Sequence, residues 1–325
     1  MQRDSIDDAA AALRAGELVA FPTETVYGLG ADASNDTGLK KIYAVKGRPR
    51  NHPLIVHVAG VVDVERWAVR ISKDARELAE RFWPGPLTLV LKRAEHVSDL
   101  VTGSQDTIAL RVPSHPIAHS LLEAFGGGVA APSANRYGHV SATCAEHVRS
   151  EFGEAVKIVL DGGASQVGIE STIVDVSGSE PALLRPGHIT AEALEQVLGR
   201  ALAPASAASP RAPGTLARHY APQTPLMLLE ADLVLELAAS MARQGQPVAV
   251  LARSAHRPVL NGLTWIAAPM EPAPYAHDLY SNLRSLDQAG CSAILVEQVP
   301  LEPAWAAIYD RLMRAAAGSS ETDAT

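Results

Sequence analysis

Cysteine is scarce. Cys144 and Cys291 are the two in 325 residues, they form no CxxC pair, and neither stands at metal-ligand spacing from a histidine, so no disulfide framework or structural zinc is expected and a reducing compartment is. Aromatic residues make up 5% and the formal net charge is −8. Both argue against a chain whose main task is to coat a nucleic acid, which needs basic surface and stacking platforms. No apolar run approaches the roughly 18 uncharged residues of a membrane-spanning helix. The stretch Met1–Asp8 is acidic and polar rather than basic then apolar, so neither membrane insertion nor Sec-type export is expected. The P-loop pattern is missing, Gly28-Leu-Gly30 lacks the third glycine of a dinucleotide fingerprint, and Gly126-Gly-Gly128 precedes a strand. Any nucleotide must therefore be held some other way. With no nucleophile elbow, HExxH or paired-carboxylate motif, covalent hydrolysis loses ground.

What is present is the composition of a soluble globule: 47% hydrophobic, 20% charged, mean hydropathy +0.05, and a length that suggests two domains or one large one. Short apolar, often β-branched runs at Glu17–Phe21, Leu54–Val58, Leu87–Leu91, Ile108–Val112, Val129–Ala131, Lys157–Leu160 and Thr172–Val176 read as strands. Helices are expected from Ser5 to Gly16, from Ser72 on, and from Thr190 to Gly199, each opened by a hydroxyl cap. Residues 1–205 thus predict an α/β domain. Residues 206–223, rich in Pro, Ser, Ala and Gly, read as a linker, and their Arg211, His219 and Tyr220 exceed what a passive tether needs. Residues 224–318 alternate strands (Leu226–Leu229, Val248–Leu251, Leu263–Ile266, Ala293–Val296) with helices near Leu233–Ala242, Ala276–Gln288 and Pro303–Ala317. That order predicts a small parallel sheet covered on both faces. Residues 319–325 read as a frayed tail.

Six loops carry candidate chemistry. Phe21–Gly30 is an apolar strand running into a polar turn. Lys46-Gly-Arg-Pro-Arg-Asn-His-Pro-Leu54 gathers Lys46, Arg48, Arg50 and His52 on a segment stiffened by Pro49 and Pro53; it is either a solvated basic surface or an anion site. Arg111 sits inside an otherwise apolar strand and needs a partner, a protein carboxylate or a ligand's. Ala131–Gly138 offers a hydroxyl and an amide in a rigid turn, or is a plain Asx turn. Glu170–Asp175 opens a strand with hydroxyls, and Arg185, ending an apolar strand before Pro186-Gly187, could fork onto a phosphate. Together the loops offer several cations and few carboxylates, the mix expected around a polyanion.

The runs Pro22-Thr-Glu-Thr-Val-Tyr-Gly-Leu-Gly30, Lys46-Gly-Arg-Pro49, Pro84-Gly-Pro-Leu-Thr88, Leu110-Arg-Val-Pro113, Pro132-Ser-Ala-Asn135, Ser171-Thr-Ile-Val-Asp175 and Arg185-Pro-Gly187 resemble, in this order, the YrdC-like threonylcarbamoyl-AMP synthases. The linker and Asp278–Asp287 resemble parts of that family's long, two-domain form. The resemblance implies a YrdC-like twisted-sheet catalytic domain and a smaller Rossmann-like parallel α/β domain. It implies a nucleotidyltransferase that makes L-threonylcarbamoyl-adenylate and pyrophosphate from L-threonine, bicarbonate and ATP, with Mg²⁺ on the ATP. A downstream tRNA threonylcarbamoyl transferase in the cytoplasm would use the product. By position, Lys46, Arg48, His52, Thr107, Ser133, Asn135, Thr143, Arg185 and Tyr220 match ATP contacts, and Thr25, His57, Arg111, Ser133 and Ser171 match threonine contacts. Lys46, Arg48, Arg185 and Tyr220 are the implied catalytic set, no protein metal ligand is implied, and His219-Tyr220-Ala-Pro222 matches a lid motif. The alternatives are a non-catalytic double-stranded-RNA-binding module for ribosome maturation, of which a weak RNA contact is the residue, and a carbamoyl-phosphate-using transferase, whose usual zinc-finger-like and acylphosphatase-like regions are missing.

Overall fold

The computed structural model describes residues 5–216 and 218–318; the expected frayed tail, 319–325, lies outside them. The chain divides into two compact units. One takes the described residues up to Tyr137 together with Ala142–Thr215, the other Gly138–Ser141 together with those from Leu216 on. The segment read as a linker is thereby shared, residues 206–215 going with the first unit.

The first unit is built on an eleven-stranded mixed sheet. Along it run Ala203–Pro204, Ala182–Arg185, Thr172–Asp175, Leu87–Arg93, Thr107–Arg111, Ile55–His57, Val129–Ala130, Gly28–Asp32, Val19–Phe21 and Ile158–Val159, with Ala68–Val69 paired to Leu87–Arg93. Period-2 alternation sorts each strand onto two faces. Val56, Leu87, Leu89, Leu91, Ile108, Leu110 and Val174 enter the main core. Their neighbours Ile55, Val90, Ala109 and Ile173 form a second, smaller cluster with Ala182, Leu184 and Ala212. On that second face, Val19, Phe21 and Val129 are covered by the helices Ile6–Arg14 and Pro116–Phe125. Functional side chains lie on the strip of this face between the helix-covered part and the part under Ala212.

The hydroxyl caps do what their positions predict: the Ser5, Ser72 and Thr190 side chains accept from Asp8 N, Ala75 N and Ala193 N. Four helices of this unit were not expected: Asp36–Lys46, the one-turn Asp99–Thr102, Pro116–Phe125 and Ala145–Phe152. Two expectations are corrected. Gly28–Gly30 is not a turn but the start of a strand antiparallel to Val19–Phe21. Lys46 is not on a loop; it closes the Asp36–Lys46 helix, and Gly47, at φ 66, takes the left-handed turn that releases the chain.

The second unit carries four parallel strands in the order Leu226–Leu229, Ala293–Glu297, Val248–Ala252, Leu263–Ala267. All five residues of Val248–Ala252 are buried, which requires cover on both faces. The helix Ala231–Arg243 supplies one cover through Val234 and Ala238. This is the small parallel α/β domain that the strand–helix alternation predicts.

Candidate active site

Arg111 ends its strand on the second face, paired in register with His57 on the parallel strand beside it. It is 3% exposed, and each of its three nitrogens meets the protein. Nε donates to the Gly85 carbonyl at 3.3 Å, Nη1 to the Thr25 hydroxyl at 2.8 Å, and Nη2 lies 2.7 Å from Glu24 Oε1. The partner that the sequence demanded is thus a carboxylate of the PTET run itself. Glu24 is held in place by Ser114 N, which donates to Oε2 at 3.2 Å. Thr25 is held by Thr23, whose hydroxyl is 2.8 Å from its own.

His57 is buried, with its ring edge-on to Phe21. Burial first and the Arg111 charge second hold its pKa down to about 3, so the imidazole is neutral at physiological pH. Between about 6.5 and 3 the unfolded chain binds a proton that the folded chain refuses, so stability falls as pH is lowered through that window. In urea titrations between about pH 7 and about pH 4, His57→Gln is expected to lose stability less steeply than the parent. An equal slope would remove His57 as the cause.

Ser171 joins this group. Its hydroxyl is 2.7 Å from that of Thr88, and its carbonyl accepts from Arg185 Nε at 3.2 Å and Nη2 at 2.9 Å. Simple alternation would send Arg185 to the core face with Leu183. A register shift between Leu183 and Arg185 re-aims it. Its third nitrogen, Nη1, donates to the Pro213 carbonyl at 2.9 Å. Arg211 bonds the Gly103 carbonyl at 2.7 Å, and its backbone bonds Gln105 in both directions. Residues 211–213 are thereby strapped over the second face of the first unit.

A second constellation surrounds the end of the Asp36–Lys46 helix. Lys46 is buried, and its Nζ donates to the carbonyls of Ser133, at 2.6 Å, and Asn135. Burial first and then the Arg48 charge hold its ammonium well below the usual lysine range. Arg48 donates to the Pro53 carbonyl at 2.8 Å and sits over the Tyr137 ring, whose hydroxyl is 3.0 Å from His52 Nδ1. The basic run is therefore only partly a solvated surface: Arg50 is exposed, while Lys46 is turned inward onto the Ser133 and Asn135 carbonyls and Arg48 onto the Pro53 carbonyl and the Tyr137 ring.

Thr107 and Thr143 are buried in the same unit. Thr107 shares Arg111's strand and face, four positions and about 13 Å away. The Thr143 hydroxyl faces His147 Nδ1 at 3.3 Å. Tyr220 is the one implied site residue outside this unit. In the second unit its ring stacks on Tyr280 and lies under Arg311. Sequence reasoning passed over Glu24, Thr88, Gly85 and Tyr137. Glu24 was legible: a lone carboxylate among hydroxyls and a lone arginine among aliphatic residues are each costly to bury, and burying them as a pair answers both.

The unit thus holds one buried arginine paired with a carboxylate and bonded to a hydroxyl. It holds further basic groups at a helix end, Lys46, on the loop after it, Arg48, and at a strand end, Arg185, residue types that suit carboxylate and phosphate oxygens. The chain is similar to known proteins along nearly all its length. Residues 11–187 match a family model described as telomere recombination, covering the Sua5, YciO and YrdC proteins. Residues 189–317 match the threonylcarbamoyl-AMP synthase C-terminal domain. The threonylcarbamoyl-AMP synthase of Pyrococcus abyssi is 39% identical over 94% of this chain and 92% of its own. That of Bacillus subtilis is 39% identical over 96% and 93%. The crystal structure of P. abyssi Sua5 complexed with L-threonine superposes with a TM-score of 0.89 at 37% identity, covering 98% of this chain and 96% of that one. The seven ordered motifs, the eleven-stranded sheet that carries them and these full-length likenesses make the chain a member of the threonylcarbamoyl-AMP synthase family in its two-domain form.

Proposed function

We propose that this protein condenses L-threonine, bicarbonate and ATP to L-threonylcarbamoyl-adenylate and pyrophosphate, the first step of threonylcarbamoyladenosine formation in tRNA. The observation that carries the reading is the buried Arg111, bonded to the Thr25 hydroxyl and in register with His57, a fixed guanidinium among small polar groups, in a chain whose relative was crystallised with L-threonine. In this reading Arg111 orients the threonine carboxylate, with Thr25, His57, Ser133 and Ser171 around it. Lys46, Arg48 and Arg185, with His52, Thr107, Ser133, Asn135 and Thr143, hold the triphosphate. The carbamate oxygen must attack the α-phosphorus in line with departing pyrophosphate, so the protein's part is alignment and charge.

Lys46 and Arg48 suit that part because they are pre-positioned: their carbonyl contacts fix them before ligand arrives. Among the described residues no group of three His, Cys, Asp or Glu side chains could hold a metal. Mg²⁺, which neutralises phosphate charge, would therefore ride on phosphate and water oxygens. The family resemblance alone gives the His219-Tyr220 run the part of a lid, which would keep water from the labile adenylate. The product passes to a tRNA threonylcarbamoyl transferase, a step that the family resemblance places in the cytoplasm.

Incubation with ATP, bicarbonate and labelled L-threonine is expected to give labelled adenylate and pyrophosphate, with both small substrates required because the nucleophile is made from both. ATP cleavage that proceeds equally well without threonine would refute the reading.

A further inference from the structure

Glu24 has no assigned part in the chemistry, yet it stands where the chemistry needs a group. Glu24 is 3% exposed and Arg111 is also 3% exposed, and Oε1 lies 2.7 Å from Nη2. These two atoms form an ion pair, and neither makes an aligned hydrogen bond to any other group. Buried polar atoms are nearly always hydrogen-bonded, and a charged one left without a bond costs more than a neutral one. Here the carboxylate and the guanidinium are closed on each other, and each keeps a further position for a ligand, since a carboxylate oxygen accepts more than one bond and Nη2 carries two protons. A ligand that would complete them carries an anion and a cation a few ångströms apart, which describes an α-amino acid zwitterion. Arg111 alone would leave its ammonium facing only neutral groups.

We propose that Glu24 binds the α-ammonium of the substrate amino acid and takes the proton that makes it a nucleophile. This rests on the reading that Arg111 holds the substrate carboxylate. One N–H bond of the ammonium breaks, its electron pair stays on nitrogen and its proton goes to Glu24 Oε1. The amine then forms the N–C bond to bicarbonate; the C–OH bond breaks, and the hydroxide leaves as water with the second amine proton. The carbamate remains, and Glu24 returns its proton to solvent before the next turnover. Once the substrate carboxylate arrives, two carboxylates share the single Arg111 cation, and like charges so placed favour protonation of one of them. The charged or titratable groups facing Glu24 are Arg111 and His115. Burial holds His115 below the usual histidine range, so it does not supply a competing cation. Glu24 is thus both a recognition group, selecting amino acids over hydroxy acids, and the general base.

Calorimetric titration of the full chain with L-threonine and with 2,3-dihydroxybutanoate, which has a hydroxyl in place of the ammonium, tests this. The parent is expected to prefer threonine by roughly 10–100-fold, as for one charged hydrogen-bonded contact. Glu24→Gln keeps the side chain's shape, and in it the preference should shrink to about threefold or less while the hydroxy acid binds as before. Adenylate formation in this variant should fall roughly 10²–10⁴-fold. Equal weakening of both ligands, or no preference in the parent, would overturn the proposal. Should Glu24→Gln not fold, Glu24→Asp is expected to keep the preference and lose turnover, and unchanged turnover there overturns the base role. L-threonine amide separates the underlying reading: if the parent binds it as tightly as threonine, the Arg111 assignment fails, whatever the Glu24 comparison gives.

Discussion

Arg111→Ala is expected to remove measurable threonine binding and to lower the stability of the protein by about 3–5 kcal/mol, the cost of stranding one member of a buried ion pair. The stranded group is Glu24, which keeps Ser114 N as a donor but loses its one neutralising cation. Gly85 and Thr25 lose their contacts with the same side chain. Calorimetry tests the first effect, and urea unfolding read by circular dichroism gives the second. A stability loss below about 1 kcal/mol would mean that the pair is hydrated enough to matter little. The double replacement Arg111→Met with Glu24→Leu separates the two effects. Apolar residues of similar volume often substitute for a buried pair without loss, so stability should largely return while threonine binding does not. Arg185→Ala calls for a different expectation. Because Arg185 clamps both the Ser171 carbonyl and the Pro213 carbonyl, threonine and ATP binding should weaken together, even though the family resemblance gives Arg185 to ATP.

Gly187→Ala is expected to be the most damaging single-methyl addition in the first unit. A Cβ at this position would fall 2.3 Å from Thr172 N and 2.7 Å from both Ser171 C and Thr172 Oγ1. These are backbone and buried atoms that cannot swing aside. The strand start must move, taking with it the Ser171 hydroxyl and the Thr172 hydroxyl that bonds the Ile189 carbonyl at 2.8 Å. Overpacking of this kind costs about 3 kcal/mol, at the upper end of the usual range, and threonine affinity should fall with it. Gly178→Ala is the control, since nothing lies within 4 Å of the added carbon. If both variants melt and bind alike, close approach is not the reason for glycine in the Arg-Pro-Gly run.

The strand framework was legible because alternating apolar runs are the direct imprint of a two-faced sheet, and the first helix because Ser5 and Gly16 bracket it. The Asp36–Lys46 helix escaped for a physical reason that also bears on function. Its buried positions Leu39, Ile42, Tyr43 and Lys46 keep the helical i, i+3, i+4, i+7 spacing, but the last of the stripe is a lysine. A charged residue in a buried stripe breaks the hydrophobic signal, and here it does so because the lysine is turned inward onto the Ser133 and Asn135 carbonyls. Pro116–Phe125 escaped because its sequence is apolar on most sides, and Ala145–Phe152 because Cys144 gives it no side-chain cap. Within the site, residue types and loop positions could be read from sequence, but partnerships could not. Pairing Glu24 with Arg111 or Arg185 with Ser171 depends on strand register and on one bulge, and neither leaves a mark in composition.

Gly138–Ser141, four residues of the second unit set inside the first unit's sequence, impose an order on synthesis. Their partners come late: Ala221 N donates to the Gly138 carbonyl, His139 bridges Ala221, and Arg284 donates to the Val140 and Ser141 carbonyls. At about 5–20 residues per second, a ribosome needs roughly 7–30 s to travel from Ser141 to Arg284. Once Thr215 has been made, about halfway through that interval, the sequence of the first unit is complete, while Val140, buried at 3% in the finished protein, still lacks the Arg284 side chain that meets its carbonyl. Translation that stalls between residues 215 and 284 therefore leaves the first unit complete in sequence but carrying four residues whose partners have not been made, the form of intermediate that chaperones hold.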